Sequence, residues 1–358
     1  MRCCEILIIG GGIIGLAIAI ELKAQGAAVT ILCRDFAEAA THAAAGMIAP
    51  QAEELPPSPM LDLCLESRAL YPDWIHKLES LTGLNAGYWA CGILTPRYRY
   101  SEKPGWLDRA SILTHQPDLS DEVIGGYWFP QDAQVDNRAL AKVLWMAAQE
   151  LGIEIHTGIQ VDAFGTGKPA RFKSDSNITH LETNQGIWKA DRYILATGAW
   201  SQELLPIPVF PRKGQMLAVR VLDHDLPLKQ VLYGEESYIV PRRDGRIIVG
   251  ATSENVGFQA GNTAIGVHQL LSAAIRLYPP IQHFTLEETW YGFRPTTPDE
   301  LPILGSSPYA NLTLATGHYR NGILLAPVTA SAIAQFVLTE KTDPRLEAFH
   351  WSRFNLGT

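Results

Sequence analysis

Apolar residues run together near the start of the chain and alternate with polar ones beyond its middle, and this contrast organises the sequence. LIIGGGIIG, residues 7–15, joins two apolar runs through three consecutive glycines. Such a run ending in glycine predicts a buried parallel strand that turns abruptly into a helix. Residues 16–25 read as the helix, Gly26 as its stop and AVTIL as a second strand, a βαβ-like start about 30 residues long. A long helix is expected over residues 60–81, after a Pro-rich link. Residues 86–134 carry short strand-like pieces, YWACGILTP and GGYWFP, between polar loops. VDNRALAKVLWMAAQELG predicts a helix with Asp136 as its cap, and IEIHTGIQVDAF and RYILATGAW return to β-structure.

Beyond Pro206 the pattern becomes antiparallel. SYIVPRRDGRIIVGATS places two alternating runs around Asp244 and Gly245, a hairpin signal. With those two residues as the whole loop, Tyr238 faces Ala251, Glu236 faces Ser253 and Val240 faces Val249, all six on one side. A tyrosine opposite an alanine leaves a recess, so this side is a candidate pocket wall, with Glu236 on its solvated rim. EETWYGFRPTT alternates again and ends at Arg294, which Pro295 biases toward extended geometry. Pro298 and Pro302 keep the next segment extended. LTLATGHYRNGILLAPVTASAIAQFVL then reads as a strand, a polar turn and a long apolar helix.

Composition narrows the classes. A chain of 358 residues, 47% hydrophobic and 18% charged, can bury two substantial cores. Its net charge of −8 argues against nucleic-acid binding. The five cysteines, at 3, 4, 33, 64 and 91, form no CxxC pair and no Cys/His cluster, so no metal is expected and the thiol usage is cytosolic. Glycines interrupt the first apolar run, and Glu5 and Glu21 flank it; neither a signal peptide nor a membrane span is expected there. The expectation is a cytoplasmic protein without a membrane partner.

The glycine run carries the first candidate chemistry. Gly10, Gly12 and Gly15 have GxGxxG spacing: a tight turn, a close backbone approach to a pyrophosphate, and close packing of helix on strand. At the tip of the second strand, where an acid normally takes the ribose hydroxyls, Cys33 and Arg34 stand instead. An arginine there can also signal NADP, so the motif alone leaves the dinucleotide open. THAAAGMIAP, residues 41–50, is small and uncharged, suited to backbone lying against a flat ligand or to an Ala-rich helix start. Thr197 and Gly198, ending YILATG, read as a second close approach to the same ligand.

Together GGGIIG, AAAGM, LATGAW, YIVPRRDGRIIVGAT, GFRPTTPDELPILG and GHYRNGILLAP, in this order over nearly the whole chain, resemble the FAD-dependent amine oxidases of the D-amino acid oxidase class, and most of all its glycine-oxidizing branch. The resemblance implies an α/β fold: a discontinuous Rossmann-like FAD-binding domain (1–85, 135–205 and 295–358) and an α+β substrate domain with a mostly antiparallel sheet (86–134 and 206–294). It implies noncovalent FAD, since relatives that tether flavin use a cysteine in the C-terminal half. The FAD contacts carried over are Gly10, Gly12, Ile13, Ile14, Gly15, Cys33, Arg34, Thr41, His42, Ala45, Gly46, Met47, Val161, Thr197, Gly198, Trp200, Gly317, His318, Tyr319, Arg320, Asn321, Gly322 and Ile323. Arg294 would clamp the substrate carboxylate with two parallel hydrogen bonds, Tyr238 would donate to it, and Arg320 would add a second cation.

The implied reaction is oxidative deamination of glycine, sarcosine or small D-amino acids by FAD and oxygen, giving glyoxylate or a 2-oxo acid, ammonia and hydrogen peroxide, for the thiazole branch of thiamine biosynthesis. A flavin dehydrogenase of the D-amino acid or sarcosine/proline type, using another acceptor, is the enzymatic alternative. A non-catalytic FAD-binding sensor or assembly subunit is the alternative of another class, and an NADP-dependent reductase is suggested by Arg34 alone. A homo-oligomer is left open.

Overall fold

The computed structural model describes residues 2–166, 176–221 and 227–354; the parts of the expected domains at 1, 167–175, 222–226 and 355–358 lie outside the described residues. The first apolar run forms the strand Arg2–Ile9, parallel to Val29–Cys33 on one side and to Gly186–Leu195 on the other. Glu154–Thr157 extends the sheet at one end, and Leu312–Thr316 with an antiparallel Ile303–Ser306 at the other. Val161–Thr166 and Ile178–Thr183 add to Gly186–Leu195 in antiparallel fashion. Ile6 and Ile8 pack among the helices, whereas Leu7 and Ile9 pack with Leu181, Trp188 and Tyr193 on the opposite side. Both faces are covered, so the strand needs no polar alternation.

The helices fall close to expectation. Ile13–Ala24 follows the glycine turn, Pro59–Thr82 is capped by Ser58, and Asn137–Glu150 is capped by the Asp136 carboxylate, which accepts from the Arg138 and Ala139 N–H groups. Gly322–Thr339 is long and apolar enough to cross a membrane by length and composition alone, but it is mostly buried inside the fold. The Tyr71 hydroxyl and the Ser67 hydroxyl donate to its first-turn carbonyls, Ile323 O and Leu324 O, at 2.7 and 2.6 Å.

A second sheet of eight strands runs in the order Thr285–Thr296, Phe210–Arg220, Arg246–Gly250, Tyr238–Pro241, Val231–Tyr233, Ile93–Arg97, Gly125–Phe129 and Leu107–Asp108. All its pairs are antiparallel except that of Val231–Tyr233 with Ile93–Arg97. Leu217, Ile239 and Val249 pack with the helix Ala264–Leu277, while Met216, Val240 and Ile248 pack with Ala45, Ala49 and Ala52 of the small-residue region.

The hairpin departs from its expected register by one residue. Tyr238 pairs with Gly250, and Val240 with Ile248, because the loop has three residues, 243–245. The Arg242 N–H donates to Arg246 O at 2.7 Å, and Gly245, at φ +88°, donates back to Arg242 O at 3.2 Å. A left-handed glycine closing the loop is the three-residue hairpin's own requirement. Side chains alternate with period two, so the slip carries Val249 off the Tyr238 face to pack with Ile239 and Leu217, while Ala251, past the end of the strand, still packs in the cluster of Tyr238. The recess survives with a different floor: a Cβ on Gly250 would lie 2.5 Å from Met216 Sδ and 2.6 Å from the Tyr238 ring. Glu236 does not face Ser253 across the ladder; it pairs with Arg276 at 3.0 Å on the surface.

Arg242 ties the second sheet to the small-residue run and to the start of Asn137–Glu150. Its buried guanidinium donates to Ala45 O at 2.7 Å, to Asn137 Oδ1 at 3.3 Å and to Gln134 Oε1, and lies 3.8 Å from the Asp136 carboxylate. Burial lowers its pKa to about 10, against the pull of Asp136, so it remains a cation at neutral pH.

Candidate active site

The three motif glycines do three different things. A Cβ on Gly10, at φ +115°, would lie 2.3 Å from Ala196 O, and one on Gly15 would lie 1.9 Å from Gly10 O. These two are bare so that strand, turn and helix can pack. Gly12 has no neighbour closer than 3.7 Å to such a Cβ and lines a cavity. It is also the N-cap of Ile13–Ala24, with no side-chain cap bond and no acid in the first turn; Thr41 Oγ1 takes the Ile13 N–H at 3.0 Å. An uncapped helix start beside a bare glycine fits a pyrophosphate through N–H groups and dipole together.

The cavity follows the C-terminal ends of the parallel strands, where α/β sheets bind ligands, and continues to the second sheet. Gly10, Gly12, Ile13, Ile14, Cys33, Arg34, Thr41, Ala45, Gly46, Met47, Val161, Thr197, Gly198, Trp200, His318, Tyr319, Arg320, Gly322 and Ile323 line it, as do Arg294 and Tyr238. Gly15, His42, Gly317 and Asn321 are not among its walls. His42 turns its ring edge-on against Phe36 at 4.5 Å, and Asn137 holds its carbonyl and that of Thr41. Gly317, at φ +74°, has Thr297 behind it, and Asn321 is the buried N-cap of Gly322–Thr339. Asn321 makes no side-chain cap bond, which leaves that helix start, too, open toward the cavity.

The small-residue run has a packing role that its sequence did not disclose. A Cβ on Gly46 would meet Val135 O at 2.0 Å, and one on Gly292 of the second sheet would meet the Ala43 methyl at 2.3 Å. Ala40–Ala43 is a short helix, so both readings of this stretch apply to part of it. At the strand tip, burial raises the Cys33 pKa, and its Sγ lies against Gly11. Arg34 is committed elsewhere: it pairs with Glu38 at 2.6 Å and sits 4.5 Å over the Trp200 ring. The guanidinium on which the NADP alternative rested is thus paired with a carboxylate rather than held out for a 2′-phosphate. Glu38, not foreseen, lines the cavity beside Arg34.

The second sheet supplies the other end. Arg294 lies one ladder step from Gly214, whose missing side chain makes room for its guanidinium; a Cβ there would be 2.3 Å from Nη1. One Arg294 N–H donates to Thr252 O at 3.1 Å. The Tyr238 hydroxyl donates to Met216 Sδ at 3.2 Å; burial raises its pKa, and the adjacent Arg294 opposes the rise. Tyr233, on the neighbouring strand, stacks parallel to Tyr238 with ring centroids 6.5 Å apart. The Tyr319 N–H donates to Pro295 O at 2.9 Å and so brings the GHYRNG turn, with Arg320, beside the Arg294 strand.

Glu53 completes this end. Its side chain is 8% exposed, and its Oε2 lies 3.7 Å from Arg320 Nη2, beyond hydrogen-bond length. Burial raises its pKa, and Arg320 opposes the rise. The turn that presents it is pinned from afar: the Asp132 carboxylate accepts from the Gln51 and Ala52 N–H groups at 3.2 and 2.8 Å and pairs with Arg68 at 2.6 Å. Glu54, next in sequence, points the other way to Arg97 and Lys103. His318 is neutral, its pKa lowered by burial to about 3, with Nε2 3.2 Å from Thr329 Oγ1.

Comparison with known proteins agrees with this geometry. The family described as FAD dependent oxidoreductase matches residues 5–336. The bifunctional protein ThiO/ThiG of Trichormus variabilis is 57% identical over 98% of this chain and 55% of its own length, so the chain spans about half of that relative. Glycine oxidase of Geobacillus kaustophilus is 34% identical over 98% of this chain and 97% of its own. The crystal structure of glycine oxidase from Geobacillus kaustophilus superposes with a TM-score of 0.89, covering 99% of both chains at 31% identity.

Proposed function

Because the chain belongs to the FAD dependent oxidoreductase family, we propose that it oxidizes glycine and similar small amines, among them sarcosine and small D-amino acids, with molecular oxygen as the final acceptor. The observation that carries this reading is the Arg294 and Tyr238 pair, walled into the same cavity as the glycine turn. FAD, when bound, supplies a two-electron acceptor. Gly12 and the helix start behind it would hold its pyrophosphate, and Cys33, Arg34 and Glu38 lie at the strand tip where a ribose binds in such folds.

The residues of the chain position the substrate. Arg294 offers its remaining N–H groups as a fork to one carboxylate, and the Tyr238 hydroxyl turns from Met216 to add a third donor. A carboxylate fixed at three points leaves the Cα and amine few orientations, which is where proximity contributes most. The neutral amine pushes out the Cα hydrogen with its electron pair, and water hydrolyses the resulting imine to glyoxylate and ammonia. Oxygen takes up the two electrons and two protons as hydrogen peroxide. The step needs no protein nucleophile. The open start of Gly322–Thr339 stabilises negative charge that develops beside it.

In this reading residues 1–85, 135–205 and 295–358 form the cofactor domain and 86–134 and 206–294 the substrate domain, a division supported by the membership of the two sheets. FAD is held noncovalently, there being no cysteine after residue 91. The protein acts in the cytoplasm, supported by its free cysteines, and serves the thiazole branch of thiamine biosynthesis, supported by its likeness to ThiO/ThiG. The test is an aerobic peroxide assay over glycine, sarcosine and D-alanine, with glyoxylate measured alongside. Peroxide and glyoxylate in equal amounts from glycine are expected. Anaerobic bleaching of the flavin without peroxide in air would refute oxygen as acceptor, and no bleaching at all would refute catalysis.

A further inference from the structure

Amine oxidation as described makes no use of Glu53, yet the fold holds this carboxyl in the chamber with evident provision. The Asp132 and Arg68 clamp fixes the turn that carries it, and Glu54 beside it is drawn outward by two cations. Buried polar atoms are nearly always hydrogen-bonded, but Glu53 Oε2 is buried without such a partner. The groups that bear electrostatically on the Tyr238 hydroxyl are Arg294, Glu53 and Arg320. Among the described residues lining the second-sheet end of the cavity are two guanidiniums, Arg294 and Arg320, and one carboxyl, Glu53. A substrate with a single carboxylate needs one guanidinium, and Arg294, with room over Gly214, is the one free to form a fork.

Arg320 would otherwise be a second anion site. With Glu53 at 3.7 Å its charge is already compensated in part, and a second anionic arm on the substrate nitrogen reaching for the half-exposed Arg320 would meet the buried Glu53 carboxylate beside it. Resting on the amine-oxidase reading above, we propose that Glu53 restricts the site to amines bearing one carboxylate, by occupying Arg320 and repelling a second anionic arm such as an N-carboxymethyl group. This is specificity through a repulsive element rather than through an added contact.

The test uses FAD-loaded wild type, Glu53→Gln, Glu53→Asp and Arg320→Leu with glycine, N-ethylglycine and iminodiacetate. Glu53→Gln keeps the shape and removes the charge. Its kcat/KM for iminodiacetate relative to glycine should rise about ten-fold or more, through KM, while the ratio for N-ethylglycine, whose N-substituent is uncharged, stays within about two-fold. Glu53→Asp should retain the wild-type preference. Arg320→Leu, which leaves the carboxylate uncompensated, should discriminate against iminodiacetate at least as strongly as wild type. A second readout needs no turnover: Kd for glycolate and for oxydiacetate, from the perturbation of bound-flavin absorbance, should show the same relative shift. If glycine yields no peroxide, the proposed reaction falls, and the ligand titration still decides the role of Glu53. An unchanged ratio in Glu53→Gln overturns the proposal. So does a parallel loss for glycine and N-ethylglycine, which would mean that Glu53 docks the amine.

Discussion

Gly214→Ala is a substitution that reaches the proposed substrate clamp without replacing Arg294, the residue that would form it. The added methyl would lie 2.3, 2.5 and 2.6 Å from Arg294 Nη1, Nη2 and Cζ, so the guanidinium must retreat by about an ångström to regain ordinary contact. Gly214 sits inside Phe210–Arg220 with an ordinary strand φ, and the methyl meets the far end of a flexible side chain, so the backbone has no reason to move. Alanine also suits a strand interior better than glycine. Stability is then conserved and the cost falls on the fork. Displacing one of its charge-assisted hydrogen bonds from the substrate carboxylate forfeits about 1.5–3 kcal/mol. Because the proposed clamp would hold the carboxylate in ground and transition states alike, the loss should enter as a KM for glycine raised roughly 10- to 150-fold with kcat largely retained. Steady-state peroxide release over a wide glycine range, with flavin content and thermal midpoint measured on the same preparation, makes the comparison. A KM within two-fold of wild type would refute the placement of Arg294 over Gly214 or its role as the carboxylate clamp.

Arg294→Ala should raise KM by about two orders of magnitude or more with FAD still bound, and Arg294→Lys should recover little, since an ammonium cannot form the fork; glycine kinetics and flavin content measure both. Tyr238→Phe, keeping the ring and losing one donor, should cost about 0.5–1.5 kcal/mol, again in the glycine KM. Cys33→Glu should tighten FAD about five-fold in a titration of the deflavinated protein, because a carboxylate at the strand tip bonds a ribose better than a buried thiol; equal or weaker binding by a folded variant would mean that Glu38 or backbone already serves. His318, neutral in the fold down to about pH 3 but near 6.5 when unfolded, binds its proton more readily in the unfolded chain. Stability should therefore be undiminished by this group above pH 6.5 and fall by about 2 kcal/mol between pH 7 and 5 through it alone, a slope that His318→Asn should flatten in denaturant titrations at fixed FAD.

What could be read in the sequence is what local rules decide. The glycine turn follows from chain-local geometry, as do the Asp136 cap and the long helices, and each lies where the pattern puts it. The hairpin was legible as a hairpin but not in register. Asp244 and Gly245 can close a two-residue loop or the second part of a three-residue one, and Arg242 decides between them through partners about 100 and 200 residues away. Glu53 was hidden for the same kind of reason: it and Glu54 look alike in sequence, and the clamp that aims one inward comes from Asp132. Tyr233 had a weak signal, since it and Tyr238 flank the short Gly234–Ser237 reversal that pairs them. His42 shows what sequence proximity leaves open: Thr41 and Ala43 on either side of it line the cavity, while its ring turns against Phe36.

The Arg242 bridge bears on how this molecule fails. The cation joins the small-residue run, the start of Asn137–Glu150 and the hairpin that carries Tyr238. The spacing between the dinucleotide cradle and the proposed carboxylate clamp is thereby set as a bolt sets two plates, not as a hinge would. Substrate entry has to be served by side chains and loops, because the plates cannot swing apart without pulling a charge out of its socket. Warming that loosens this fastening together with its neighbours, Arg246 on Asp136, Arg138 on Glu288 and Trp290 on Ala43, would misalign the proposed clamp while both eight-stranded sheets persist, so activity would decline ahead of any spectroscopic sign of unfolding.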